Sequence, residues 1–242
     1  MKCSDRVLLR HIFMNFSKRF CIGSAVLLIS LLCSPVSANA GEDPMIFREQ
    51  TDDHVVYLTS SEEETEESHL LLRSESTEGD VHEVIVDDSL HTERWSFSRS
   101  ENGETDLVAE RSGRRIDIRG TLDGRSIQKR KELEDDDPWI QSIEKSLEPF
   151  VLSDDERTEF WTLQPDDLTL RKLQARRRGK ETVEVDGEQV ESWKVRISLP
   201  GIGSIFWSAD YWYRTTDGQF VKYEGVRGGP GTPTTVVEMV NE

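Results

Sequence analysis

Five turn-forming dipeptides constrain this chain more than any other feature: Asn102-Gly103, Ser112-Gly113, Asp123-Gly124, Asp186-Gly187 and Asp217-Gly218. Asn-Gly and Asp-Gly accept the positive φ that a two-residue hairpin turn demands, and each pair here separates two short β-prone runs. The runs alternate as half-buried strands do. Trp193, Val195, Ile197 and Leu199 share one side of a strand, with Lys194, Arg196 and Ser198 on the other. Ile205, Trp207, Ala209, Tyr211 and Tyr213 form a second series, and Ile116/Ile118 and Trp95/Phe97 form shorter ones. Residues 55–59 and 70–73 are strand-like but less regular. The acidic stretch 61–68 has no periodicity and reads as an exposed loop.

One segment breaks the alternation. Pro138 suits the first turn of a helix with Asp137 as its cap, and Trp139, Ile140, Ile143, Leu147 and Phe150 then recur near helical spacing. Pro149 is expected to end it. Ser153 and Glu156 have capping-box spacing for a further turn. The expected fold is therefore mainly β: an antiparallel meander forming a curved sheet or incomplete β-barrel, with a helical insertion near residues 138–160 packed on it.

The first 40 residues differ in kind. Lys2, Arg6, Arg10, Lys18 and Arg19 precede an uncharged apolar run from position 20 to 32, and Ala38-Asn39-Ala40 closes the segment. Basic, apolar, then small-x-small is the order of a secretory signal peptide, cleaved after Ala40 or Ala38. Met14 opens a tighter leader and is the expected start. Ser34, Pro35, Ser37 and Asn39 make the segment too polar for a retained anchor, and Leu32 before Cys33 argues against a lipid-modified cysteine. Residues 41–242 are then a single β-rich domain in the periplasm or outside the cell.

All three cysteines (Cys3, Cys21 and Cys33) lie in that leader. The exported chain would have no disulfide, thiol nucleophile or cysteine-ligated metal. It would carry 46 acidic against 25 basic residues, a balance of −21. Such a charge opposes nucleic-acid binding.

The hairpin-rich end resembles a known pattern. Glu181-Thr-Val-Glu-Val-Asp-Gly, Trp193-Lys-Val-Arg, Trp212-Tyr213 and Asp217-Gly-Gln-Phe-Val-Lys-Tyr-Glu are similar to uncharacterised bacterial periplasmic domains of the lipoprotein-carrier type. The resemblance spans about the last quarter of the chain. It implies a half-barrel that cups a lipid or other apolar small molecule under a helical lid, and it implies no catalytic residue.

Five of the candidate ligand-binding residues follow from where aromatic and apolar side chains gather. Trp207, Tyr211 and Tyr213 would line the concave face, with Trp139 and Ile143 opposite on the helical segment. The competing reading makes these residues simply core. Arg177, in the basic run 176–180, is placed at the rim of the cleft to meet a phosphate or headgroup; as a structural element the run would be a solvated hairpin tip turning at Gly179. Trp212 faces away from Trp207, so it is either exposed for an envelope protein partner or covered by another element.

Nothing marks a catalytic or metal centre. His54, His69, His82 and His91 lack metal-ligand spacing, the paired aspartates lack a calcium-loop pattern, and no cofactor motif occurs. Gly201-Ile-Gly-Ser204 lacks the frame of a nucleophile elbow, and Gly228-Gly-Pro-Gly231 precedes a strand rather than a helix. A hydrolase would need Ser, His and Asp to converge from distant strands.

Overall fold

The computed structural model describes residues 43–65, 68–99, 104–201, 203, 207–226 and 231–240. The first 40 residues, read as a leader, the expected Asn102-Gly103 turn, Ser204, Ile205 and the first three residues of the 228–231 string lie outside the described residues. No helix among the described residues is long and apolar enough to cross a membrane.

Among the described residues, fourteen strands form one antiparallel sheet. The first eight run β1 (Met45–Thr51), β2 (His54–Glu64), β3 (Leu70–Ser76), β4 (Val81–Val86), β5 (Thr92–Arg99), β6 (Thr105–Ser112), β7 (Arg115–Leu122) and β8 (Arg125–Glu132). Two short helices follow, α1 (Ile143–Ser146) and α2 (Glu148–Leu152). The remaining strands are β9 (Arg157–Leu163), β10 (Leu170–Val185), β11 (Glu188–Ser198), β12 (Ser208–Arg214), β13 (Phe220–Val226) and β14 (Thr234–Val240). Each strand pairs with its neighbour in sequence, and β1 pairs with β14, so the two meanders join in the middle and leave β8 and β9 as edges.

Two of the four described dipeptides form the expected two-residue turns, whereas Ser112 still belongs to β6, with Gly113 and Arg114 making the turn, and Asp217-Gly218 lies inside the longer connection 215–219. Asp123 and Gly124 take φ of 50° and 73° between β7 and β8, and Asp186 and Gly187 take 49° and 81° between β10 and β11. Other reversals use residues that do not advertise themselves, such as Asp52 (φ 52°), Leu90 (60°) and Leu168 (57°).

Laid flat, fourteen strands at ~4.8 Å spacing would hold the two edges about 60 Å apart. The sheet instead curls strongly. Trp161 and Leu163 of edge strand β9 share a core with Leu72, Val84, Trp95, Phe97, Leu107 and Ile116, contributed by β3 to β7. Phe160, on the opposite side of β9, joins a second core with Val195, Ile197, Ala209, Tyr211, Tyr213, Phe220 and Val237. From Phe160 to Leu163, β9 is thus buried on both faces and divides the two cores. The sheet does not close by strand pairing. An extended segment bridges the gap: Ile140 N donates to Trp161 O (2.8 Å), Trp161 N to Pro138 O (2.8 Å), and Thr92 N at the start of β5 to Trp139 O (2.8 Å).

Three expectations need correction. The 138–160 segment is helical only across α1 and α2, because residues 138–141 are recruited as this extended bridge and Phe160 belongs to β9. Pro149 does not end a helix but sits in the first turn of α2, where its missing N–H costs nothing. The acidic residues 61–64 are not loop. They extend β2 and pair with Arg73 to Leu70 of β3, ladder bonds overriding local composition.

Candidate functional site

Between the two cores lies a cavity of about 350 Å³. One wall is aromatic: Phe47, Trp207, Tyr211, Phe220 and Tyr223. Its rings interlock, with Tyr211 and Tyr223 edge-on at 5.0 Å and Phe47 and Phe220 tilted at 5.5 Å. The facing wall comes from the inward positions of β2 to β5 and is mixed. Leu72, Val84 and Trp95 make one cross-strand row, while Ser60, Ser74 and His82 make the next. His82 Nδ1 accepts from Trp95 Nε1 (3.4 Å), which puts the neutral ring's proton on Nε2.

The helical segment covers one end. Ile143, Lys145 and Glu148 line the cavity there. Lys145 Nζ lies 3.0 Å from both Glu62 of β2 and Glu148 of α2, tying the helices to the sheet. Burial raises the Glu148 carboxyl above its usual range; the hydrogen bond and charge of Lys145 oppose this without outweighing it, and repulsion from Glu62 and Asp217 adds to the rise. Burial works against the Lys145 charge as well, but bonds to Glu148 and Glu62 outweigh it and leave the ammonium raised. The far end is polar, with Asp80, Asp166 and Arg171 on the wall. Arg99 Nε donates to Asp80 at 3.1 Å and its Nη1 reaches Asp166 at 3.5 Å.

Of the six residues expected to bind a ligand, Ile143, Trp207 and Tyr211 lie on the cavity wall. Trp139 is fully buried in the other core, with Nε1 donating to Gln141 Oε1 (3.0 Å). Tyr213 is fully buried, and its hydroxyl donates to Ile143 O (3.0 Å), so it holds the helical segment from below. Burial pushes that phenol well above its ordinary range. Arg177 meets the helices and not the cavity. It donates to Val151 O (3.2 Å), Ser153 O (2.8 Å) and Asp155 O (2.7 Å), satisfying carbonyls that the end of α2 leaves unpaired. Its guanidinium also stacks 4.6 Å from the Trp193 ring. Gly179 is no hairpin tip. It forms a bulge inside β10 at φ 131°, where the ladder register shifts.

That bulge settles the position of Trp212. The far part of the β10–β11 hairpin lies against the outer face, and Val183, Val185 and Val190 pack there with Trp212, Val221 and Met239. Trp212 is 4% exposed, so its face is covered and offers no partner surface. Beneath the hairpin tip runs a polar groove whose ions pair with one another, Lys222 with Glu238 at 2.6 Å and Arg48 with Glu238 at 3.9 Å.

No family model matches the chain, and no curated protein matches it in sequence. Among solved structures, a β-barrel-like protein of a domain of unknown function, DUF1849, from Brucella abortus superposes with a TM-score of 0.57. The identity is 8%, over 82% of this chain and 96% of that one. The two share a fold. The hypothetical lipoprotein YmcC from Escherichia coli gives 0.40 at 12% identity, covering 82% and 84% of the two chains. A LolA superfamily protein, NE2245 from Nitrosomonas europaea, gives 0.25 at 8% identity, covering 82% of each. Scores this low carry no argument. The shared β-barrel-like fold extends over most of the chain, well beyond the last quarter in which the sequence resemblance lies.

Several wall residues carry no sequence signal of their own. Ser60, Ser74 and His82 become a row only through the β2–β3–β4 register, although the alternation Leu72, Ser74, Ser76 hints at an inward face. Among the described residues no group of three or more His, Cys, Asp or Glu side chains is placed to hold a metal ion.

Proposed function

We propose that this protein is exported to the cell envelope and holds a lipid or other apolar molecule in the cavity between its two cores. The observation that carries this reading is an aromatic wall facing a space of about 350 Å³ beneath a helical cover. A well-packed interior leaves few voids larger than a water molecule, so a cavity of this size departs from ordinary core packing. The leader read from the first 40 residues supports export, and the lipoprotein-carrier-type resemblance of the last quarter fits an apolar occupant. Protein purified without detergent should yield a stoichiometric apolar compound on organic extraction and mass spectrometry. It should also displace a neutral apolar dye on titration with a medium-chain lipid. A clean extract together with no displacement would remove the reading.

A second reading, a protein-interaction module, has one observation in its favour. Edge strand β8 is exposed along most of its length and carries Lys129, Arg130 and Lys131 in an otherwise acidic chain. An acidic extended segment could add to that edge. A stoichiometric partner lost on charge reversal of Lys129 and Lys131, from protein that yields no lipid, would favour it.

A further inference from the structure

The residues that create the cavity also limit what it holds; this inference rests on the ligand-binding reading above. Along β2 and β3 the inward positions pass from large to small between the two cores. Leu58 packs on the core around Phe47, and Leu72 belongs to the core around Trp95. Between them Ser60 and Ser74 stand opposite each other in the ladder, and Ser76 stands opposite Leu58. All three serines line the cavity. A leucine at any of these positions would carry side-chain carbon into the space. The void is therefore set by the choice of small side chains on two paired strands, in a fold whose flanking rows are filled.

Both ends of the space are held by ion pairs. Under the helices, Lys145 Nζ lies 3.0 Å from both Glu62 of β2 and Glu148 of α2. At the far end Asp80 and Asp166 are held by Arg99, at 3.1 and 3.5 Å. Lengthening the space at either end would separate charges that are largely buried, which is costly. The volume is thus a property of the fold. A dry apolar cavity of roughly 150 Å³ takes one benzene, about 25 Å³ for each carbon. At that density the space of about 350 Å³ holds about fourteen non-hydrogen atoms. One medium-length chain meets that number, whereas a diacyl lipid of medium chains exceeds it about twofold.

We propose that the cavity is a size filter for single-chain apolar molecules. It encloses one chain of about twelve to fourteen carbons against the aromatic wall, and it has no room for a second chain. Ser60 and Ser74 set the limit, because they stand where larger side chains would shorten the space.

The test compares 1-octanol, 1-decanol, 1-dodecanol, 1-tetradecanol, 1-hexadecanol and 1,2-didecanoylglycerol on the full-length protein. Binding is followed by tryptophan emission, since Trp95 and Trp207 line the space, and bound ligand is counted by mass spectrometry of the reisolated protein. Affinity should rise about fourfold for each methylene as far as 1-dodecanol or 1-tetradecanol, the gain from burying one methylene, and level off at 1-hexadecanol. One alkanol should be held per chain, and didecanoylglycerol should bind about tenfold or more weakly than 1-dodecanol. Ser60→Leu with Ser74→Leu adds about four non-hydrogen atoms to the wall, so the plateau should begin near 1-decanol while 1-octanol still binds. A plateau already at 1-octanol in the unaltered protein, an affinity still rising at 1-hexadecanol, two alkanols per chain, or didecanoylglycerol binding as tightly as 1-dodecanol would overturn the size filter while the cavity reading stands. An unmoved plateau in the folded double variant would overturn the part given to the serines. A response to none of the six would bring down the ligand-binding reading and this inference together. The series on the unaltered protein decides the filter even if the variant does not fold.

Discussion

The two edges of this sheet solve one problem in opposite ways. An edge strand presents a row of unpaired backbone groups that invites another chain. The second half of β9, from Phe160 to Leu163, is withdrawn into the molecule and buried on both faces, and its open side is met by residues 138–141. Gln141 completes the match with its side chain. Its Nε2 donates to Leu163 O (3.0 Å), and its Oε1 accepts from Leu163 N (2.7 Å), Thr162 Oγ1 (2.9 Å) and Trp139 Nε1. A single amide thus stands in for a strand. β8, in contrast, stays outside, paired only with β7, and meets solvent with Arg125, Lys129, Arg130 and Lys131. Burial protects one edge and charge protects the other. A sheet too long to close can therefore remain open provided each end has its own protection.

Four perturbations separate the two strategies. The largest effect belongs to the buried edge: Trp139→Ala removes a fully buried indole beside β9 and should cost about 3–5 kcal/mol by denaturant unfolding. Gln141→Leu keeps most of the volume but strands the Leu163 and Trp139 N–H groups. It should cost about 2–6 kcal/mol, measured the same way, at one to three for each buried donor left unpaired. At the exposed edge, replacing Lys129 and Lys131 together with Ile should change the unfolding free energy by no more than about 0.5 kcal/mol. The same variant should turn a monodisperse sample into self-associating material in sedimentation, because edge charge is removed and β-propensity is raised.

The smallest effect concerns acid. Hydrogen bonds from Lys172, then from Trp161 Nε1, hold the Asp135 carboxyl down at about 2 from a usual 3.8. A depressed carboxylate stabilises the fold above its unfolded value, and that contribution disappears as pH falls through the folded one. Stability should therefore drop between pH 3.8 and about 2 in the native chain, and Asp135→Asn should flatten that part of the profile.

Much of the architecture was legible because the hairpin grammar is local. Asp123-Gly124 and Asp186-Gly187 fold their strands whatever surrounds them, and the alternation in β11 and β12 names its own inward face. The helical segment was legible only in part. Its spacing marks the apolar residues correctly, but whether 138–141 coil or extend is decided by an unpaired strand edge more than twenty residues away. The candidate site was harder still. Arg177 looks like a headgroup ligand in a basic run, and only the fold shows that it meets the end of α2. Sequence reading also passed over Lys129, Arg130 and Lys131, whose meaning depends on β8 having no second neighbour. Ser60, Ser74 and His82 are separated by 8 to 14 residues, and nothing short of strand register brings them into one row.

The placement of the six tryptophans has an optical consequence. Trp95 and Trp207 alone touch the cavity, so they are the indoles whose emission should respond when the space fills. Trp193 reports on something else. A guanidinium rests on its ring, and that same group grips the carbonyls at the end of α2. Any withdrawal of the helices would drag the cation away and alter the colour of that one residue. With Trp207 replaced by Phe in one sample and Trp193 in another, the chain's own fluorescence would time filling and uncovering as separate events.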